Sequence, residues 1–185
     1  MDKFHFDSAK HEYWVNNQKV PSVTEIVMTV YGNSYPTDEF YLRKGSMLHL
    51  AISLYLQDNL DETTVDKRIA GQLDGAKMAI SQLNLKPSLI EKHLYHPIFQ
   101  YGGTPDLLTQ DGILIDWKTS PSRLTTPAQL GGYLLLLTAW QHPVKKTFEI
   151  ALQDKNYKLT EYNMQYCKNL FLATLTVYNH KRKEE

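Results

Sequence analysis

The chain has 185 residues, 42% of them hydrophobic, with 20 basic and 20 acidic side chains and a formal net charge of zero. That length is most simply one domain, 1–185, with enough apolar material for a core, and the balanced charge sets up no overall basic field, so a nucleic-acid partner must be met by a local patch. The single cysteine, Cys167, excludes an intrachain disulfide, a cysteine-rich zinc site and an iron–sulfur cluster held by four cysteines.

From the N-terminus, MDKFHFDSAK lacks the apolar core of a signal peptide and carries acidic residues, and no window approaches the length of a membrane span. The expectation is an intracellular, cytoplasmic protein without a membrane partner. Phe4–Phe6 and His11–Val15 read as a strand pair, with Asn16-Asn17 turning the chain into a short return at Gln18–Val20. Pro21 closes this run. Ser22-Val23-Thr24-Glu25 has capping-box spacing, so a helix is expected to start here and run towards Val30. Gly, Asn, Ser and Pro between Tyr31 and Asp38 predict a loop.

A second helix is expected over Glu39–Gln57, with Leu48, Ala51, Leu54 and Tyr55 on its buried side. Gly45 lies one turn before His49, which leaves room above the imidazole for another chain or a ligand; a satisfied core or surface histidine is the alternative. Arg43 and Lys44, just before it, are candidates to face phosphate. Val65, Ile69, Leu73, Ala76, Ile80 and Leu83 then recur at helical spacing on a scaffold helix. Leu89 to Gln100 reads as extended, with Glu91 near its start, a residue that taken alone is a surface carboxylate.

The stretch Tyr101 to Ser120 carries the most chemistry. Leu107-Leu108 and Ile113-Leu114-Ile115 flank Gln110-Asp111-Gly112, a hairpin with Gly supplying positive φ. A two-residue loop would set Asp106 opposite Trp117, whereas a three-residue loop sets it opposite Asp116; the latter register is adopted here. Strand alternation puts Asp116 and Lys118 on one face, away from Ile115 and Trp117. Two facing carboxylates repel by about 1 kcal/mol in water and roughly 4 kcal/mol at an effective dielectric near 20, which calls for a cation between them. All-oxygen ligands suit Mg²⁺ or Mn²⁺. Two surface aspartates and a solvated lysine are the alternative.

Arg123 sits in a polar loop over Ser120–Thr125 and is a third basic candidate for substrate binding. Thr126, Pro127 and Gln129 form a T-x-x-Q cap for the next helix, on which Tyr133 follows Gln129 by one turn and packs or serves a site. Thr147–Leu152 and Tyr157–Tyr162 are expected to form a hairpin around Asp154-Lys155-Asn156. A last helix from about Asn163 then buries Cys167, Leu170, Phe171, Leu175 and Tyr178. At that spacing Cys167 is a core residue.

Taken together, His49 after a glycine, Glu91, Gly103-Thr104-Pro105-Asp106, Ile115-Asp116-Trp117-Lys118 and Gln129-x-x-x-Tyr133 resemble the RecB-like branch of the PD-(D/E)XK nuclease superfamily. The opening HEYWVNNQKVPSVTEIV is also similar to small phage proteins of this type. The resemblance spans His49 to Tyr133. It implies an α/β, restriction-endonuclease-like core, a central mixed β-sheet flanked by α-helices, and metal-dependent hydrolysis of DNA phosphodiesters, exonucleolytic on single strands or ends.

By the same resemblance Glu91, Asp106 and Asp116 are metal carboxylates, the Trp117 carbonyl is a further ligand, and His49 is an added ligand that favours Mn²⁺. Lys118 orients the attacking water, and Gln129 and Tyr133 position the lysine and the DNA. The chain departs from the CRISPR and AddB members in lacking their cluster cysteines, and it carries no fused helicase, so a separate helicase or recombination protein is the expected partner. A dimeric endonuclease of restriction or resolvase type, and a non-catalytic binding module of the same fold, are the alternatives. Tyr41, Tyr101 and Trp117 are the aromatic candidates for base stacking, with core packing as the alternative for Trp117.

Overall fold

A computed structural model describes residues 2–32 and 39–183, with side chains throughout except at 39–42. Strands β1 (Phe4–Asp7), β2 (Glu12–Val15) and β3 (Gln18–Val20) form an antiparallel sheet in that order, matching the expected strand, turn and return. The turn residues Asn16 and Asn17 take φ of 52° and 64°, a region asparagine tolerates better than most side chains. Helix α1 (Val23–Tyr31) begins at Ser22, whose hydroxyl accepts a hydrogen bond from the Glu25 amide at 2.9 Å, half of the expected capping box. Most of the loop expected between Tyr31 and Asp38, and the side chain of Tyr41, lie outside the described residues.

Helices α2 (Glu39–Leu56) and α3 (Lys67–Gln82) cover one face of the central sheet, burying Leu48, Ala51 and Ile52 together with Ile69, Leu73, Ala76 and Ala79. Leu54 and Tyr55 are only partly buried. Leu54 is turned off the 48–51–52 stripe, and Tyr55 lies at the end of α2 with Lys77 Nζ over its ring at 5.3 Å.

The chain continues through β4 (Pro87–Ile90) into a separate hairpin of β5 (Leu94–His96) and β6 (Tyr101–Gly103). The extended run expected over Leu89–Gln100 is therefore broken. Glu91 takes φ 45° as the chain leaves one sheet for another, and it turns again at 97–100. Then follow β7 (Leu107–Thr109), β8 (Ile113–Lys118), α4 (Thr125–Ala139), β9 (Lys146–Gln153), β10 (Asn156–Glu161) and α5 (Met164–Lys181). The five-stranded sheet has the order β10-β9-β8-β7-β4, and only β8 and β9 run parallel, joined by α4 as a parallel pair requires.

Strand alternation sends Leu107, Ile115 and Trp117 into the core under α2 and α3, and Leu108 and Leu114 into a second core with α1, α4 and α5. This is the expected α/β architecture, a central mixed sheet flanked by helices. Two local expectations are corrected. The T-x-x-Q cap does not form: α4 starts one residue before Thr126, its N-cap Leu124 makes no capping bond, and the Gln129 side chain is engaged elsewhere. The second hairpin pairs Asn156 with Gln153, leaving a two-residue turn, with Lys155 at φ 52°.

Helices α4 and α5 meet backbone to backbone at Gly131, where a Cβ would stand 2.0 Å from the Cys167 carbonyl oxygen. Gly131→Ala gains helix propensity but forces the two helices apart, and overpacking of this kind costs about 1–3 kcal/mol. We expect a lower urea midpoint with an unchanged slope; a midpoint at or above that of the parent would show that the helices do not meet here.

Candidate active site

The strands β7 and β8 pair Leu107 with Ile115 and Leu108 with Leu114, leaving Gln110-Asp111-Gly112 as the loop, with Gly112 at φ 85°. This is the three-residue register, and continued by one residue it sets Asp106 opposite Asp116. Asp106 is 6% exposed, and its Oδ2 accepts a hydrogen bond from the Trp117 amide at 2.8 Å. The Trp117 indole is buried in the core under α2 and α3, while Trp117 is also one of the residues that line a cleft of about 570 Å³.

Three elements bring His49, Glu91 and Asp106 to this cleft. One potential ligand atom from each lies within 4.8 Å of the others. His49 Nδ1 is 3.5 Å from Glu91 Oε1 and 3.5 Å from Asp106 Oδ1. Above it the position of Gly45 is open, with nothing within 4 Å of where a Cβ would stand. Burial works against charge on His49, but the Asp106 and Glu91 carboxylates outweigh it and hold its pKa up at about 10. Burial and repulsion by Asp106 push Glu91 up to about 7. For Asp106 burial is likewise opposed, by His49, Lys118 and the Trp117 amide, and the net direction is downward.

Asp116 is 1% exposed and stands outside that three-residue group. Its Oδ2 forms an ion pair with Lys118 Nζ at 2.9 Å, and its buried Oδ1 has no hydrogen-bond partner among the described residues. Burial raises its pKa to about 6 although Lys118 opposes the shift. Lys118 Nζ donates to Gln129 Oε1 at 2.8 Å, and Gln129 Nε2 donates to the Tyr133 hydroxyl at 2.8 Å. Helix α4 therefore holds the lysine through a side-chain relay on one face. Burial, with Asp106 and Asp116 nearby, keeps the Tyr133 phenol protonated.

Arg43 and Arg123 are exposed and Lys44 half-buried, and none of the three lines the cleft. Trp117 and Tyr101 are core residues, 1% and 0% exposed, and the Tyr101 hydroxyl donates to the Gly132 carbonyl at 2.9 Å, so neither offers a ring for stacking. The sequence reading missed the wall built by the N-terminal sheet. Tyr13 OH and His93 Nδ1 both reach Thr104 Oγ1, at 2.7 Å and 2.8 Å, and His11 and Tyr13 line the cleft. The only local signal was the inward position of Tyr13 in the alternating Glu12–Val15 strand.

No family model matches the chain, and no curated protein matches its sequence. Among solved structures it is similar to a protein from Eubacterium rectale, provisionally named an exonuclease, with a TM-score of 0.50 and 10% identity over 85% of this chain and 72% of that one. It is also similar to the alkaline exonuclease LHK-Exo from Laribacter hongkongensis, at a TM-score of 0.44 and 16% identity over 85% and 87% of the two chains. The complex of LHK-Exo with dAMP gives 0.41 and 15% over 89% and 92%. At these identities the likeness to the Eubacterium rectale protein is one of fold. Among the described residues no helix is long and apolar enough to cross a membrane.

The residues fit a hard divalent cation. The buried Asp116 Oδ1 has no hydrogen-bond partner among the described residues, and one imidazole nitrogen and two carboxylates converge on a point that the His49 proton otherwise serves. Without a cation, raised folded-state pKa values mean that the folded chain holds more protons than the unfolded one. The stability from Glu91 and Asp116 is then complete below their ordinary values of 4.5 and 3.8 and lost as pH passes about 7 and 6, and that from His49 is complete below 6.5 and lost towards about 10. Asp106, shifted down, acts oppositely only in acid. We expect the melting temperature in EDTA to fall from about pH 5 to about pH 9, and Mn²⁺ to restore it most at the alkaline end with release of protons on binding. A flat profile in EDTA would remove this account of the site.

Proposed function

We propose that the chain, 1–185, is a divalent-cation-dependent deoxyribonuclease of the RecB-like PD-(D/E)XK type, acting exonucleolytically on single-stranded DNA or DNA ends. The observation that carries this reading is Lys118, held between Asp116 and Gln129 at the floor of a cleft that also contains His49, Glu91 and Asp106. Glu91, Asp106 and Asp116, with His49 and the Trp117 carbonyl, would hold Mg²⁺ or Mn²⁺, which supplies an acidified water and neutralises charge on the phosphate.

The chain's own residues do the rest. Lys118 orients the water and meets the charge that grows on the phosphate oxygens as the P–O bond breaks. Gln129 keeps the ammonium at that point, and Tyr133 keeps Gln129 in the orientation that presents its oxygen to the lysine. Arg43, Lys44 and Arg123, which do not line the cleft, would contact the strand beyond the reacting phosphate. Duplex DNA would have to be opened by a separate helicase or recombination protein.

End-labelled linear and circular single-stranded DNA, each with Mn²⁺ or Mg²⁺, test the reading directly. We expect loss of the linear strand from its ends and intact circles; cleaved circles would make the protein an endonuclease, and two intact substrates would overturn the proposal. Lys118→Ala should bind the strand within about fivefold of the parent, because the ammonium is already engaged by Asp116 and Gln129 before the strand arrives and contributes most as charge grows on the reacting phosphate, yet cut at least about a hundred times more slowly. Single-turnover rates separate the two effects. His49→Ala should cost more activity with Mn²⁺ than with Mg²⁺, since nitrogen ligation suits the softer ion; equal losses with both ions would make His49 a packing residue.

A further inference from the structure

Four rings gather where the N-terminal sheet meets the cleft. Phe6 stacks on His93 at 3.8 Å, and His11 meets Phe6 and Tyr13 edge-on at 5.1 Å and 5.9 Å. Tyr13 and His93 are tied to Thr104, two residues before Asp106. Tyr13 is buried at 2% exposure, Phe6 and His93 are half-buried, and His11 alone of the four is exposed, at the turn after β1, with φ 54°. On α2, Leu50 directly follows His49, lines the same cleft and is 60% exposed. A lone exposed leucine is ordinary, but here an aromatic ring and an apolar side chain from two different elements border one cleft whose floor carries Lys118.

We propose that His11 and Leu50 form a slot for one unpaired nucleobase of the strand whose phosphate lies at Lys118, a reading that rests on the nuclease function above. A base removed from its stack is held between aromatic and apolar side chains, largely without regard to its identity. Of the rings suggested for this by the sequence, Tyr101 and Trp117 are sealed in the core and the side chain of Tyr41 lies outside the described residues, so among the described residues His11 is assigned that part. Enclosure by its neighbours lowers the His11 pKa, which leaves a neutral ring suited to stacking on a base and unsuited to pairing with a phosphate. A paired base cannot enter such a slot, so the substrate is a single strand or a frayed end.

The test uses the full chain made slow by Lys118→Ala, with an oligonucleotide that is either intact or abasic at one scanned position. His11→Ala and Leu50→Ala should each weaken binding of the intact strand about five- to a hundredfold, and His11→Phe should restore it. With the abasic nucleotide at the slot, the alanine variants should bind as the parent does. A 2-aminopurine at the same position should be quenched by the parent and not by His11→Ala. Equal losses on intact and abasic strands, or no loss on either, would overturn the slot, and equal losses with a lower melting temperature would mark packing residues instead. Failure of the nuclease reading itself shows differently, as a wild-type chain that neither binds nor cuts the intact strand.

Discussion

The site depends on one hydrogen bond, from the Trp117 amide to the carboxylate of Asp106, 2.8 Å long and sealed from water. Strand β7 begins at Leu107, so beyond it the amide of Trp117 meets a side chain in place of a backbone carbonyl. This satisfies a buried donor and a buried charge together, and each would be costly alone. It also locks the end of β8, from which Lys118 reaches the cleft with the buried Asp116 beside it, while Trp117 anchors the opposite core. A slip of one residue would reverse every one of those directions.

Around this bond the difficulty is an excess of buried negative charge. Among the described residues, the cations His49 and Lys118 lie in the electrostatic surroundings of Glu91, Asp106 and Asp116. In the metal-free protein the deficit is met by protons, which is why burial and mutual repulsion raise Glu91 and Asp116 and why His49 is held protonated. Such a group is poised to exchange protons for a cation, and the backbone contributes to its geometry. Glu91 reaches it only because the chain takes a positive φ on leaving β4, with the Glu91 amide bonded to the Asp106 carbonyl at 3.0 Å. A non-glycine residue in that region costs energy and persists where its surroundings demand it.

The helices contribute unequally. Helix α2 supplies His49 and leaves open space at Gly45, α4 supplies the Gln129 and Tyr133 relay, and α3 and α5 are scaffold in the two cores. The N-terminal sheet has its own small core of Tyr13, Val15, Val20 and Tyr95, joined to β6 by the Ser22–Gly102 bridge. Gly102 permits this because a Cβ there would stand 2.3 Å from the Tyr13 ring. That contact places Tyr13 against Thr104 and gives the cleft its aromatic wall.

Local patterns carried much of this in the sequence. The hairpin itself followed from two apolar runs around a glycine, its three-residue register from the choice that lets Asp106 meet Asp116, the facing of Asp116 and Lys118 from alternation, the first cap from Ser22 and Glu25, and the core role of Cys167 from helical spacing. These are short-range consequences of backbone geometry, and composition sufficed to specify them. Long-range packing decided the rest. T-x-x-Q at Thr126 satisfied the local rule for a cap, but burial beside β8 gave Gln129 the better partners Lys118 and Tyr133. Leu89–Gln100 read as one extended run because no local signal marks a change of sheet, which depends on which partners β4 and β5 find. His11 and Tyr13 lie more than ninety residues from Thr104 and Asp106, and only the closing of the N-terminal sheet onto β6 makes them neighbours of the site.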